Sequence, residues 1–215
     1  MHRPSTRSGL SGPAALASAC AWMLLCGIAP GPAIPDAGPL AAGEVLIEMR
    51  ELPGRGPQEG VARGVIGAPP ERVYRALIDY AHWEEFMPFL ERSDARPLPG
   101  GAVESRQLLD FPAPTGEKRT TVRFIQRVDE TPAGRRWRIE WRSVPGAGNL
   151  KEHRGAWELQ PFPGGRTLGT CTLYTDPGGL TPDFLMNRAT RKMLGWIFKG
   201  LRQQVNRGRY VAASP

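Results

Sequence analysis

Residues 79–90, DYAHWEEFMPFL, place the chemistry-bearing side chains His82, Glu84 and Glu85 among large apolar ones. The three polar groups could ligate a metal ion or move a proton. Trp83, Phe86, Met87, Phe89 and Leu90 could equally make a greasy flap over something hydrophobic. A zinc centre needs three or four His, Cys or carboxylate ligands at set spacings, and neither H-E-x-x-H nor C-x-x-C occurs. No metal site and no cofactor is therefore expected. Acid–base catalysis needs an ionisable group held inside a cavity at a tuned pKa. Asp110, Glu140, Glu152 and His153 have the right chemistry, but two readings count against them. Strand alternation puts Glu140 on an arginine-rich face, and KEHR (151–154) reads as an exposed rim. Serine-nucleophile and phosphate-cradling motifs are absent. No catalytic residue is assigned, and an enzyme is the second reading.

The remaining candidates are apolar. Trp137, Ile139 and Trp141 alternate with Arg136, Arg138, Glu140 and Arg142 in RRWRIEWRS (135–143), which marks a strand with one buried and one wet face. Trp157, Tyr174 and Trp196, with Met186, Met193 and Ile197, could line a cavity or fill a core. Methionine suits a surface that must adapt to its ligand.

The chain has 215 residues and a net charge of +7. Arg3 and Arg7 lead into the apolar stretch AALASACAWMLLCGIA (14–29), and a Pro-, Gly- and Ala-rich exit follows. That order is the pattern of a secretory signal peptide. Residues 1–42 are read as signal and exit, with cleavage after Ala33, Ala37 or Ala42, and residues 43–215 as one domain. An uncleaved N-terminal anchor and lipidation of Cys20 or Cys26 are the weaker alternatives. Export, to periplasm or medium, leaves Cys171 as the single cysteine and a charge of +6 once Arg3, Arg7 and Asp36 are lost. The basic residues are dispersed, and with export this argues against a nucleic-acid partner.

The elements that must position these residues follow from pattern. EVLIEMRE (44–51) and GVARGVIGA (60–68) read as strands. Val73, Tyr74, Leu77 and Ile78 recur at helical spacing after Pro70, and a further helical turn runs from Asp79 toward Pro88. Strands are expected at 90–97, 102–111, 117–130, 135–144, 153–161 and 166–176, and their short Pro/Gly separators favour antiparallel neighbours. A long helix follows, with Thr181 as cap and Pro182 in its first turn. Its expected apolar stripe is Leu185, Ala189, Met193, Trp196, Ile197, Leu201 and Val205. Gly195 and Gly200 cost such a helix about 1 kcal/mol each, so close packing is expected there.

GAPPERVYRALIDYAHWEEFMPFLERSD (67–94), HRGAWELQPFPGGRTLGTCTLYTDPGG (153–179) and LTPDFLMNRATRKMLGWIFKGLRQQV (180–205) together resemble the START-like (SRPBCC) superfamily. The nearest branch holds polyketide cyclases/dehydrases and coenzyme-Q-binding START proteins. The resemblance spans about 60–207. It implies an α+β helix-grip fold, in which a curved antiparallel sheet of about seven strands wraps a long C-terminal helix. Two short helices follow the first strand. It implies a cavity but no universal catalytic set. On this reading 79–90 is the flap, with Trp83, Phe86 and Met87 inward and Glu84 and Glu85 facing water. The expected ligand-binding residues are Trp83, Phe86, Met87, Trp137, Trp141, Trp157, Tyr174, Met193, Trp196 and Ile197. The expected partner is a hydrophobic small molecule such as a lipid, quinone or polyketide-like ring, with an anionic membrane surface as a second partner for the basic last helix.

Overall fold

The computed structural model describes residues 37–54, 56–131, 134–179 and 181–211. Most of the expected signal segment, including Cys20, Cys26 and Ala33, lies outside the described residues. The first described element is the short helix α1 (Ala37–Ala41). Eight strands follow: β1 (Val45–Arg50), β2 (Glu59–Ile66), β3 (Leu90–Pro97), β4 (Val103–Phe111), β5 (Gly116–Thr131), β6 (Gly134–Gly148), β7 (Glu152–Phe162) and β8 (Arg166–Asp176). They form one antiparallel sheet in the order β1-β2-β8-β7-β6-β5-β4-β3. The count is therefore eight where about seven were expected. The short helices follow the second strand, because residues 45–50 pair fully with β2.

Between β2 and β3 the chain must cross from one end of the sheet to the other. Helix α2 (Pro70–Ile78) and a 3₁₀ helix (Tyr80–Glu85) carry it there. Pro70 starts α2, where its missing N–H costs nothing, and Val73, Ala76 and Leu77 face inward. The long helix α3 (Asp183–Gln204) comes after β8, and the short α4 (Gly208–Val211) ends the described chain. Pro182 occupies the cap position of α3 without a side-chain cap, so Thr181 does not take that role.

Alternation along the strands decides what faces α3. Leu109, Phe111, Val122, Phe124, Ile139, Trp141, Trp157, Leu159, Cys171 and Leu173 form the inner face and are buried. The buried stripe of α3 is Met186, Thr190, Met193, Leu194, Ile197, Phe198, Leu201 and Gln204. It is rotated from the expected stripe, because Met186, Leu194 and Phe198 outcompete Leu185, Ala189 and Trp196 for the sheet. Each large side chain so buried stabilises the fold by roughly 1.5–3 kcal/mol. The helix lies closest at β2, where a Cβ on Gly60 would stand 2.6 Å from Leu194 and one on Gly64 2.8 Å from Phe198. Toward β4–β6 large side chains hold the layers apart, and the sheet curves so that β4 and α3 share one lining.

Candidate functional site

A small apolar chamber of about 50 Å³ lies between sheet and helix. Trp141, Trp157 and Leu109 come from the sheet, Met193 and Ile197 from α3, and Trp83 and Met87 from the flap. Gln107, His153 and Cys171 supply its polar atoms. Burial pushes the Cys171 thiol up, so it stays protonated. At that volume the chamber has room for little more than a water molecule or two.

The aromatic wall has a local cause in the sequence. A Cβ on Gly155 would collide with the Trp141 ring, so only glycine lets that indole lie across β7. There Trp141 Nε1–H donates to His153 Nε2 at 3.1 Å. An acceptor Nε2 puts the ring proton on Nδ1, which donates to Thr175 Oγ1 at 3.0 Å. Ser143 Oγ accepts from the His153 backbone N–H at 3.0 Å. Burial lowers the imidazole pKa to about 4, so the ring is neutral at pH 7. His153 therefore belongs to the chamber and not to an exposed rim. The KEHR charges had suggested a rim, yet pairing with Thr175 on β8 turns the imidazole inward. Both ring nitrogens are engaged within the protein, which leaves no free lone pair for a substrate.

The flap is fixed at both ends. Trp83 Nε1–H donates to the Leu77 carbonyl at 2.9 Å, and the ring stands edge-on to Trp141 with centroids 6.2 Å apart. Glu84 is exposed. Glu85, expected to face water, instead accepts from Gln204 at 3.0 Å, Arg207 at 2.7 Å and Arg209 at 2.8 Å. Burial pushes its carboxyl up, but the hydrogen bonds from Gln204 and Arg209 and the arginine charges outweigh this and hold it below the ordinary range. Tyr210 donates to Asp79 at 2.8 Å, so the segment after α3 latches the flap. Gly200 completes the fit, since a Cβ there would meet the Phe86 carbonyl oxygen at 2.5 Å.

Of the ten residues expected to bind ligand, six line the chamber: Trp83, Met87, Trp141, Trp157, Met193 and Ile197. Phe86 is buried against α3 at Gly200 and does not line it. Trp137 is buried at the far end of β6, with the Arg135 guanidinium over its ring at 5.9 Å. Tyr174 lies on the opposite face of the sheet, under the Arg154 guanidinium at 4.3 Å. The period of two makes this necessary, because Leu173 faces inward. Trp196 is 48% exposed on the outer flank of α3, one position before the inward Ile197. Reading aromatics by type alone missed Gln107, which shares the inward parity of Leu109 and Phe111, and His153, named for its acid–base chemistry, lies in the lining and not on the expected rim. Among the described residues, no three His, Cys, Asp or Glu side chains are grouped to hold a metal ion. Trp157 is fully buried, and its indole N–H has no partner among the described residues.

Many solved structures share this architecture, and three illustrate it. A STAR-related lipid transfer protein of Xanthomonas axonopodis has 18% identity and a TM-score of 0.66, over 76% of this chain and 94% of that one. The lipid transfer and protein localization domain of human StarD13 has 14% identity and a TM-score of 0.63, over 76% and 85%. The Zhui aromatase/cyclase of Streptomyces sp. R1128 has 16% identity and a TM-score of 0.54, over 80% and 100%. At such identities the likeness shows the fold, which is the START helix-grip. No curated protein sequence matches the chain significantly. The family described as polyketide cyclase/dehydrase and lipid transport matches residues 66–202, well over half the chain, and the protein belongs to that family.

Proposed function

We propose that this is an exported carrier or sensor that holds a hydrophobic small molecule, of lipid, quinone or polyketide-like character, between its sheet and α3. The observation that carries the reading is the chamber itself, with indole, thioether and aliphatic walls and a neutral, internally bonded histidine. Burying roughly 300 Å² of apolar ligand surface would contribute ~7 kcal/mol before the costs of association. The chamber is small, so a ligand larger than a few atoms enters only if its walls yield, and Met87 and Met193 can repack around what enters. Export rests on the basic, apolar, small-residue order of the first 42 residues. The exposed cations of α3 support contact with an anionic membrane surface during loading or release.

A cyclase acting on an aromatic precursor is the second reading, and His153 within the chamber is what favours it. It would require the imidazole to exchange its Trp141 bond for a substrate. Native mass spectrometry of protein purified from an exporting host, before and after solvent extraction, tests the first reading. A removable apolar adduct is expected. A bare mass that stays unchanged after incubation with lipids and quinones would overturn it.

A further inference from the structure

A second space of about 230 Å³ lies next to the chamber. Three elements contribute to both linings. In the flap's end, Met87, Pro88 and Leu90 line the chamber, while Phe89 lines the groove. On β4, Leu109 lines the chamber and Phe111, two residues along the same face, lines the groove. On α3, Met193 and Ile197 line the chamber, and Lys192 and Trp196 line the groove. Phe89 stands on the groove side, between the chamber residues Pro88 and Leu90 in sequence. Its ring lies 5.5 Å from Phe111 and 5.7 Å from Trp196, bridging strand to helix. Its φ of 64° is the left-handed conformation that a bulky residue rarely adopts.

The groove's charge is one-sided. Arg188 and Lys192, one helical turn apart on α3, are the charged residues of its lining. Both are exposed, and neither has a hydrogen bond or ion pair among the described residues. The rest of the lining is almost wholly apolar, from Phe89, Phe111, Pro112, Met186 and Trp196. Two free cations above an apolar floor complement a molecule with an anionic head and an apolar tail.

We propose that this groove is the head-group site of the ligand, and that the ligand is a single-chain amphiphile with a carboxylate or phosphate head. Arg188 and Lys192 hold the head, and the tail lies along Phe111 and Trp196. Rotation of Phe89 admits its end to the chamber. This rests on the hydrophobic-carrier reading and narrows it to one ligand class.

The test is equilibrium binding of dodecanoate and of dodecanol, equal in chain length, to the native protein and to an Arg188→Glu/Lys192→Glu variant. On native protein, dodecanoate should bind about tenfold or more tighter than dodecanol, the scale of one charge-assisted hydrogen bond. The variant should erase that preference and keep dodecanol affinity. A Phe89→Gly chain, which removes the ring and suits the positive φ, should load both probes faster. Equal affinities on native protein, or a preference that survives charge reversal, would overturn the head-group site and leave the carrier reading standing. Failure of both probes to bind would overturn the head-group site, and the carrier reading would then rest on the adduct measurement alone. Binding of anionic vesicles that needs Arg188 and Lys192, without any preference for dodecanoate, would assign the cations to a membrane surface instead.

Discussion

His153 ties stability to pH through its depressed basicity. Above its ordinary pKa of 6.5 folded and unfolded chains both carry a neutral ring, and the group contributes no pH dependence. Between 6.5 and about 4 the unfolded chain takes up a proton that the folded one refuses. Stability therefore falls as pH drops through that window and levels off below it, by up to ~3 kcal/mol. A His153→Gln chain should lack this slice of the acid sensitivity, as measured by urea unfolding at pH 7 and pH 4.5. An equal loss in both proteins would place the titration elsewhere. Gly155 is the other sensitive position. Gly155→Ala must push the Trp141 ring off β7 and crowd the Thr172 carbonyl oxygen. A destabilisation of about 1–3 kcal/mol is expected, with a changed near-ultraviolet tryptophan signal.

Two glycines of α3 separate intrinsic propensity from packing. A Cβ on Gly195 meets nothing within 4 Å, so Gly195→Ala should add up to ~1 kcal/mol from helix propensity alone. Gly200→Ala gains the same propensity but collides with the Phe86 carbonyl, and should show a net loss in thermal melting. Glu85→Gln should weaken the latch and speed amide exchange over residues 83–87. The strands were legible as short runs between Pro/Gly turns, with the two-residue period clearest at Trp137, Ile139 and Trp141 of β6, and β8 spans 166–176 as read. The apolar side of α3 was less so. Residues on a helix turn by 100° each, and which of the neighbours Trp196 and Ile197 faces inward depends on which flank the sheet occupies. Tyr174 was decidable from alternation, since Cys171 and Leu173 carry the inward parity. The Glu85 latch was not legible, because Arg207 and Arg209 lie more than 120 residues away and only the tertiary fold brings them there.

At the scale of the molecule, the small cluster beside the main core bears on the proposed cleavage points. Leu40 of α1 is fully buried with Val65, Phe162 and Leu168. A chain starting at Ile34 should therefore unfold at higher urea than one starting at Gly43, by about 2–5 kcal/mol if Leu40 packs as a core leucine does. Equal midpoints would show that α1 adds nothing. The glycines under α3 also matter at this scale. With Gly60 and Gly64, helix and sheet meet at β2 with almost nothing between them, while indoles prop them apart at the other side. In mechanical terms the two layers form jaws that touch along one edge and are wedged by side chains along the other. A methyl group added at either glycine would press on Leu194 or Phe198 and force the helix off β2, so the spacing of the two layers is set at positions outside the chamber lining.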